Sequence, residues 1–536
     1  MRLVIRLVHR VGRRGGLLLV LALAPSVFAQ PALDSVRLDA AVAALPDRFA
    51  APVRDVYRSR DYRPLWTDET GAAGSALQRA IADVASEGLD PHAYPVPSLA
   101  SARSREVVEV AAAAALLRAA DDLARGRVAP ERIYDDWTSD RPMLARERLL
   151  RLATTRGPAA ALRSARPPHD AYARLRDALA RYRRLADAGG WPVVPPGPVL
   201  HRGDEDPGVP VLRDRLRRTG DLDAEAPADS ASRYDVALEK AVRRFQTRHG
   251  LAVDGAVGPA TRAALNTPAE ARAQQIALNM ERWRWLPRDL GATHLLINAA
   301  GMWLELVEGG ERVLRLRTIV GTRSNPTPGF SGRITHAVFN PYWNVPESIA
   351  RAEIWPQVAR DAGYLARHHM RVLPNGRIRQ EPGPDNPLGP VKLIFENPFG
   401  VRLHGTSAPS LFEQRVRAFS HGCIRVEDPL RLARRLLRGS AWDESRIDAA
   451  IASGREAWAT LPAPVPLHVG YWTAWVEDDG TVHFRDDLYD RDPALTRALG
   501  LAVGGYDGWK VQRTGGGSLR TGGGGSELIV CGGGLW

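Results

Sequence analysis

Near residue 290 the chain changes texture, and the change rules out a single fold class. Upstream, apolar residues recur at helical spacing between Gly and Pro stops. Downstream they alternate in short runs separated by Gly-containing turns. A chain of 536 residues is also too long for one core. Together these features predict a multidomain α+β protein: a helical N-terminal scaffold, a small three-helix module, and a β-rich domain that carries an insertion.

Residues 33–190 read as the helical scaffold domain. A helix over 33–45 stops at Pro46. Residues 57–66 form a loop rich in aromatics. A helix over 67–87 ends at Gly88 with Asp90-Pro91 behind it, one over 107–125 ends at Gly126, and one over 172–188 ends at Gly189-Gly190. The Pro-rich stretch 191–198 reads as a linker. Residues 203–267 form the second unit, with helices over 209–218 and 237–249, an Asp254-Gly255 turn, and a third short helix from Pro259 to Leu265.

From residue 292 to 476 the pattern is β-rich, with strands over 294–298, 303–307, 313–320, 334–339, 392–395, 401–403, 464–476 and 481–484. Residues 341–390 interrupt it with Pro-rich segments, a helical piece over 349–362 and the basic patch Arg367-His368-His369. An insertion of this length beside a strand core is a candidate lid. Residues 477–513 are a C-terminal extension. Residues 514–536 are Gly-rich, lack a core-forming pattern and read as disordered.

Residues 1–29 have the layout of a secretory signal. Arg2, Arg6, Arg10, Arg13 and Arg14 precede a short apolar run over 17–24, and Val27-Phe28-Ala29 offers a cleavage site. The expected location is outside the cytoplasm, with an uncleaved membrane anchor as the alternative. The net charge is +12, but lysine occurs only at 240, 392 and 510, and the arginines are dispersed among acids. No basic run interleaved with aromatics marks a nucleic-acid groove. Such a charge suits anionic envelope polymers or membrane surfaces.

Only two cysteines occur, Cys423 and Cys531. Two cannot build a disulfide framework for a chain this size. Cys423 stands in Ser420-His421-Gly422-Cys423-Ile424-Arg425, close behind His404-Gly405-Thr406. A thiol attacks a carbonyl as thiolate and needs a base to take its proton. His421 is nearer in sequence, but His404, at a strand end and released by Gly405, has more freedom to sit opposite the sulfur. His421 would then shape the turn or meet substrate. The backbone N–H groups of Gly422 and Cys423 are candidates for an oxyanion hole. Arg425 would hold a substrate carboxylate, or form a structural salt bridge with Glu427 or Asp428. Zinc held by His404, His421 and Cys423, with His368 or His369, is a weaker alternative because the spacing matches no short metal pattern. The reading needs no metal and no cofactor.

Two resemblances follow from these residues. Phe245, Gln246, Gly250, Leu251, Asp254, Gly255, Gly258, Thr261, Ala264 and Leu265 make residues 203–267 similar to the peptidoglycan-binding three-helix module. Phe245, Leu251 and Leu265 read as residues that hold the bundle together. The His-Gly-Thr and Ser-His-Gly-Cys-Ile-Arg segments resemble the active-site signature of the L,D-transpeptidases, the YkuD-type catalytic domain. Residues 62–66, 88–91, 340–346 and 471–475 make the chain look like the large proteobacterial YcbB-type subfamily, although Gly405 stands where its members often have Asp.

The resemblance implies Cys423 as nucleophile, His404 as proton acceptor and donor, and His421, Gly422 and Arg425 as groups around the reacting centre. Ser420, Tyr342 and Trp343 are counted with Arg425 as substrate-binding candidates. It implies a periplasmic enzyme that forms 3→3 cross-links from tetrapeptide stems and is acylated by carbapenems. The expected partners are peptidoglycan stem peptides and glycan, with an envelope lipoprotein or free D-amino acids as further acceptors. No nucleic acid is expected, and membrane contact only if the signal is uncleaved. An L,D-carboxypeptidase using water, and a non-catalytic wall-binding protein, are the competing readings.

Overall fold

The structure is a computed structural model that describes residues 31–68, 70–225 and 230–501. The signal-like segment 1–29, the tail 514–536 with its Cys531, and the end of the extension lie outside the described residues.

The first helical core is built around Arg105–Arg125, whose Ala- and Leu-rich surface is buried nearly all round. Ser35–Ala43, Asp47–Arg58, Ala72–Ala82, Arg146–Arg156 and Pro158–Ala165 pack with it. Pro46 ends one helix but also caps the next, because proline fits a helix start as well as a stop. The aromatic segment before Trp66 is tied down from the centre of that core. The carboxylate of Glu109, fully buried, accepts bonds from the backbone N–H of Leu65 (2.8 Å), Trp66 (3.0 Å) and Thr67 (2.7 Å) and from the Tyr57 hydroxyl (2.6 Å).

Asp170–Asp187 leaves this core and packs against a helix over Ala269–Trp283. The second helix shows no amphipathic stripe because it is buried on every side: Arg272, Gln275, Asn279, Glu281 and Arg282 are all inside. Its polar groups find partners, including Asn279 with Thr473 and Arg282 with Asp492 at 2.5 Å. The stretch 191–198 is clamped and does not behave as a loose linker. Trp191 is buried under the Arg215 guanidinium, 3.9 Å from its ring, and Val194 bonds Asn266.

In the module formed by Val209–Arg218, Val236–Arg248 and Pro259–Leu265, Gln246 is buried. It accepts from Gly255 N–H (2.9 Å) and donates to Asp254 (2.7 Å) and the Ala256 carbonyl (2.9 Å). It therefore braces the Asp254-Gly255 turn, as Phe245, Leu251 and Leu265 fill the core.

The strands are, in chain order, β1 (Thr293–Asn298), β2 (Trp303–Glu308), β3 (Glu311–Gly321), β4 (Phe330–Phe339), β5 (Trp343–Asn344), β6 (Met370–Val372), β7 (Ile378–Gln380), β8 (Val391–Phe395), β9 (Leu403–His404), β10 (Ala418–Ser420), β11 (Ile424–Val426), β12 (Ala457–Gly470), β13 (Ala474–Val476) and β14 (Val482–Phe484). Nine of them run in the order β10-β3-β11-β9-β8-β4-β12-β1-β2, and β2 also pairs with β3. All but β10 therefore form a closed ring. Its interior holds Leu295, Leu304, Phe339, Leu393, Leu403, Ile424, Val426 and Leu467. Alternation along each strand sends the other set of side chains to the outer face.

Residues 341–390 form a separate cap. β5, β6 and β7 make a small sheet in the order β5-β7-β6 over a core of Trp343, Val345, Ile349, Ile354, Met370 and Ile378. The cap rests on the His404-Gly405-Thr406 segment through Leu388-Gly389-Pro390. Gly389 has φ +64°, and a Cβ there would lie 2.5 Å from the Thr406 nitrogen, so only glycine fits.

Three histidines, His249, His404 and His468, are buried, and His169 and His483 are partly buried. Burial pushes His169, His468 and His483 down to about 4 and His404 to about 3, and drives His249 well below its ordinary range. These groups are neutral in the fold and take protons when it unfolds. Their contribution is complete above pH 6.5 and is lost as pH falls from there through about 4, by up to about 1.4 kcal/mol per histidine per pH unit. Burial raises Asp122 and Asp487 to about 6, which opposes the loss, but two groups do not offset five. The thermal midpoint followed by tryptophan fluorescence is expected to drop steeply between pH 6.5 and 4.5. An unchanged midpoint would contradict the burial of these rings.

Candidate active site

His404 ends β9 and Cys423 immediately precedes β11. The two strands are parallel neighbours, with Leu403 opposite Ile424 and His404 opposite Arg425. Leu403, Ile424 and Val426 point into the ring, so His404, Arg425 and Cys423 share its outer face. Cys423 lies diagonally from His404, two positions before the arginine. Sequence distance alone would have favoured His421.

The His404 ring is buried, and its Nδ1 lies 2.7 Å from the Gly405 carbonyl. A carbonyl accepts only, so Nδ1 carries the proton and Nε2 is the acceptor. Burial first, then Arg425 and Lys392, hold the imidazole at about 3. It is therefore neutral at working pH and available as a base.

Cys423 is buried, and its sulfur accepts the backbone N–H of Arg402 at 3.1 Å. Only the reduced form of Cys423 can act as a nucleophile.

The turn before Cys423 is tightly braced. Ser420 Oγ donates to the Cys423 carbonyl (2.5 Å) and accepts the Gly422 N–H (3.2 Å). Two sequence expectations change here. Ser420 is a buried brace and does not face substrate, and the Gly422 N–H is already engaged, which leaves the Cys423 N–H as the oxyanion candidate. Gly422 has φ +105°, a backbone state that favours glycine. Its carbonyl accepts the Thr327 hydroxyl at 3.0 Å.

Thr327 is itself held from two distant parts of the chain. Tyr489 Oη lies 3.3 Å from the Thr327 N–H and donates to the Gly321 carbonyl at 2.9 Å, and Arg491 reaches the Thr327 carbonyl at 3.3 Å. Arg491 also pairs with Asp136, beside Trp137, whose ring covers Gly329. The helical scaffold and the C-terminal extension thus meet behind the turn before Cys423. No motif in the sequence marks Thr327, Tyr489 or Arg491.

Arg425 is 3% exposed, yet no hydrogen bond or ion pair reaches its side chain among the described residues, and its Nη2 is buried unsatisfied. The alternative salt bridge is absent because its acids are used elsewhere: Glu427 pairs with Arg317 at 2.5 Å, and Asp428 caps the helix Pro429–Leu436 through the Arg431 N–H. Burial lowers Arg425 to about 10, still charged. A buried guanidinium without an acid partner favours an anion beside it. His421 also keeps a buried Nδ1 without a partner. Trp343 does not reach the site, since it lies in the cap core. Tyr342 is partly exposed under the Arg379 guanidinium, 5.2 Å from its ring. Among the described residues no group of three or more His, Cys, Asp or Glu side chains is placed to hold a metal ion.

Residues 292–447 match the L,D-transpeptidase catalytic domain. The chain carries an L,D-transpeptidase domain. Beside it, residues 205–265 match the family described as "Putative peptidoglycan binding domain" and residues 51–179 match a scaffold domain. A curated relative, "Putative L,D-transpeptidase" of Haemophilus influenzae, is 30% identical over 245 residues, covering 42% of this chain and 49% of the relative. The chain thus spans about half the length of the curated relative it matches.

Among solved structures, the L,D-transpeptidase of Xylanimonas cellulosilytica is 20% identical, covering 51% of this chain and 99% of that one with a TM-score of 0.19. That of Stackebrandtia nassauensis is 14% identical, covering 50% and 94% with a TM-score of 0.22. At these scores neither carries an argument about the site. The L,D-transpeptidase match ends before β12, although that strand lies within the ring between β4 and β1.

Proposed function

We propose that this protein catalyses two-step acyl transfer on peptidoglycan stem peptides through Cys423. The reduced Cys423 sulfur attacks the carbonyl at the L-centre of a diamino acid in a tetrapeptide donor, and His404 Nε2 takes the thiol proton. The C–N bond to the terminal D-Ala breaks, the amine leaves with that proton, and a thioester remains. The side-chain amine of a second stem gives a proton to His404 and attacks the thioester, which releases the sulfur and forms a 3→3 cross-link.

The observation that carries this reading is the uncompensated Arg425 beside a base and a sulfur on one sheet face. A carboxylate-bearing peptide has the charge and geometry to pair with this guanidinium. The module at 205–265 supports a substrate within the wall, and the signal-like residues 1–29 support a periplasmic setting. The helical scaffold, wall-binding module and cap in one chain support the YcbB-type subfamily.

Product analysis tests the transfer step. Reduced protein with tetrapeptide alone and with added acceptor stem is expected to yield the cross-linked dimer only in the second case. Tripeptide as the sole product in both would instead identify a carboxypeptidase.

A further inference from the structure

The catalytic face extends beyond His404. On β8, Val391, Leu393 and Phe395 fill the ring, so Lys392 points outward with His404, its register partner across the β8–β9 pair. The same register continues from Lys392 to Val338 on β4 and from Val338 to Trp458 on β12. Arg425, His404 and Lys392 therefore stand side by side on three adjacent strands, with strands spaced about 4.8 Å apart. Two cations flank the base.

Lys392 is one of only three lysines in the chain. It is partly buried, and no hydrogen bond or ion pair reaches its ammonium among the described residues. The acid nearest in charge terms, Glu456, is committed elsewhere. Its Oε1 accepts the Tyr342 N–H at 2.9 Å and its Oε2 the Trp458 indole at 3.2 Å. The remaining charged neighbour, Arg402, repels it. A strand position beside the base that carries a partly buried ammonium with no direct ion pair is a poor choice for stability alone.

Resting on the acyl-transfer reading, we infer that Lys392 is a specificity-determining residue that binds a free carboxylate of the donor stem peptide, on the opposite side of His404 from Arg425. Two carboxylates fit this chemistry, the C-terminal one and an internal one further along the stem. A lysine serves as a point charge here, as opposed to the forked donor that Arg425 provides.

The test compares three donors by the rate of Cys423 acylation in reduced protein, read by intact mass: the free-acid tetrapeptide, the same peptide amidated at its C-terminus, and one amidated at its internal carboxylate. Lys392→Met is expected to raise KM for the free-acid donor about tenfold with kcat within about twofold, and Lys392→Arg to recover most of the loss. One amidated donor is expected to show no difference between wild type and K392M, which identifies the carboxylate. Equal penalties on all three donors, or none, overturn the proposal. If wild type is acylated by no donor, the acyl-transfer reading is what fails, and lysine labelling then decides. Protection of Lys392 but not Lys240 by the free-acid stem supports carboxylate binding, and equal labelling of both with and without stem overturns it.

Discussion

Cys423→Ala is expected to leave incubation with a tetrapeptide stem or a carbapenem at its unmodified mass, while reduced wild type gains one acyl group. Loss of a nucleophile removes turnover by a factor on the order of 10³–10⁶. The substitution is mild for the fold. It removes one sulfur from a turn that Ser420, Thr327 and the Arg402 backbone hold by other bonds, so the circular dichroism and thermal midpoint of the reduced proteins should agree closely. An adduct that persists in the alanine variant would place the nucleophile elsewhere and sink the assignment.

His404→Gln is expected to lower acylation by about 10²–10⁴-fold, the usual contribution of a positioned base. Its pH dependence separates this role from a structural one. Burial and the adjacent Arg425 hold the imidazole at about 3, so it is already neutral across pH 5–8. The free-enzyme kcat/KM should therefore rise towards the pKa of the thiol with no histidine limb near pH 6.5. A clear limb there that vanishes in His404→Gln would mean that the ring ionises far more easily than its surroundings imply. A substrate carboxylate against Arg425 removes one source of the depression, so His404 becomes a stronger base when donor is bound.

Much of this site was legible from residue order because it sits on adjacent short strands. His404-Gly405-Thr406 and Ser420 to Arg425 each carry their own local signal, and strand pairing brings them together. Most ring strands are readable by alternation; β11 is too short to show a pattern, and the first half of β12, before the strand expected from 464, is obscured by Pro462, Pro464 and Pro466. The helix Ala269–Trp283 was missed because burial on all sides erases the amphipathic stripe that periodicity detects. Glu109 and Thr327 were invisible for a different reason. Each acts through backbone groups far along the chain, Leu65 to Thr67 in one case and Gly422 in the other, and composition carries no trace of such a bond. Tyr342 and Trp343 stood out as aromatics, but Trp343 fills the cap core and Tyr342 lies beneath Arg379.

The position of β12 has a consequence for the order of events in folding. β4 and β1 both pair with it, and it follows Cys423 in the chain, so the ring cannot close until residue 457 and beyond are available. A chain emerging from its N-terminus exposes the strands of an open sheet, with unpaired edges at β1 and β4, for as long as that takes. Contacts this distant in sequence close slowly, and open edges invite pairing with other chains. Cys423 is thus present in the chain before the barrel that shields it, and the face shared by His404, Cys423 and Arg425 is completed only at the last stage of assembly.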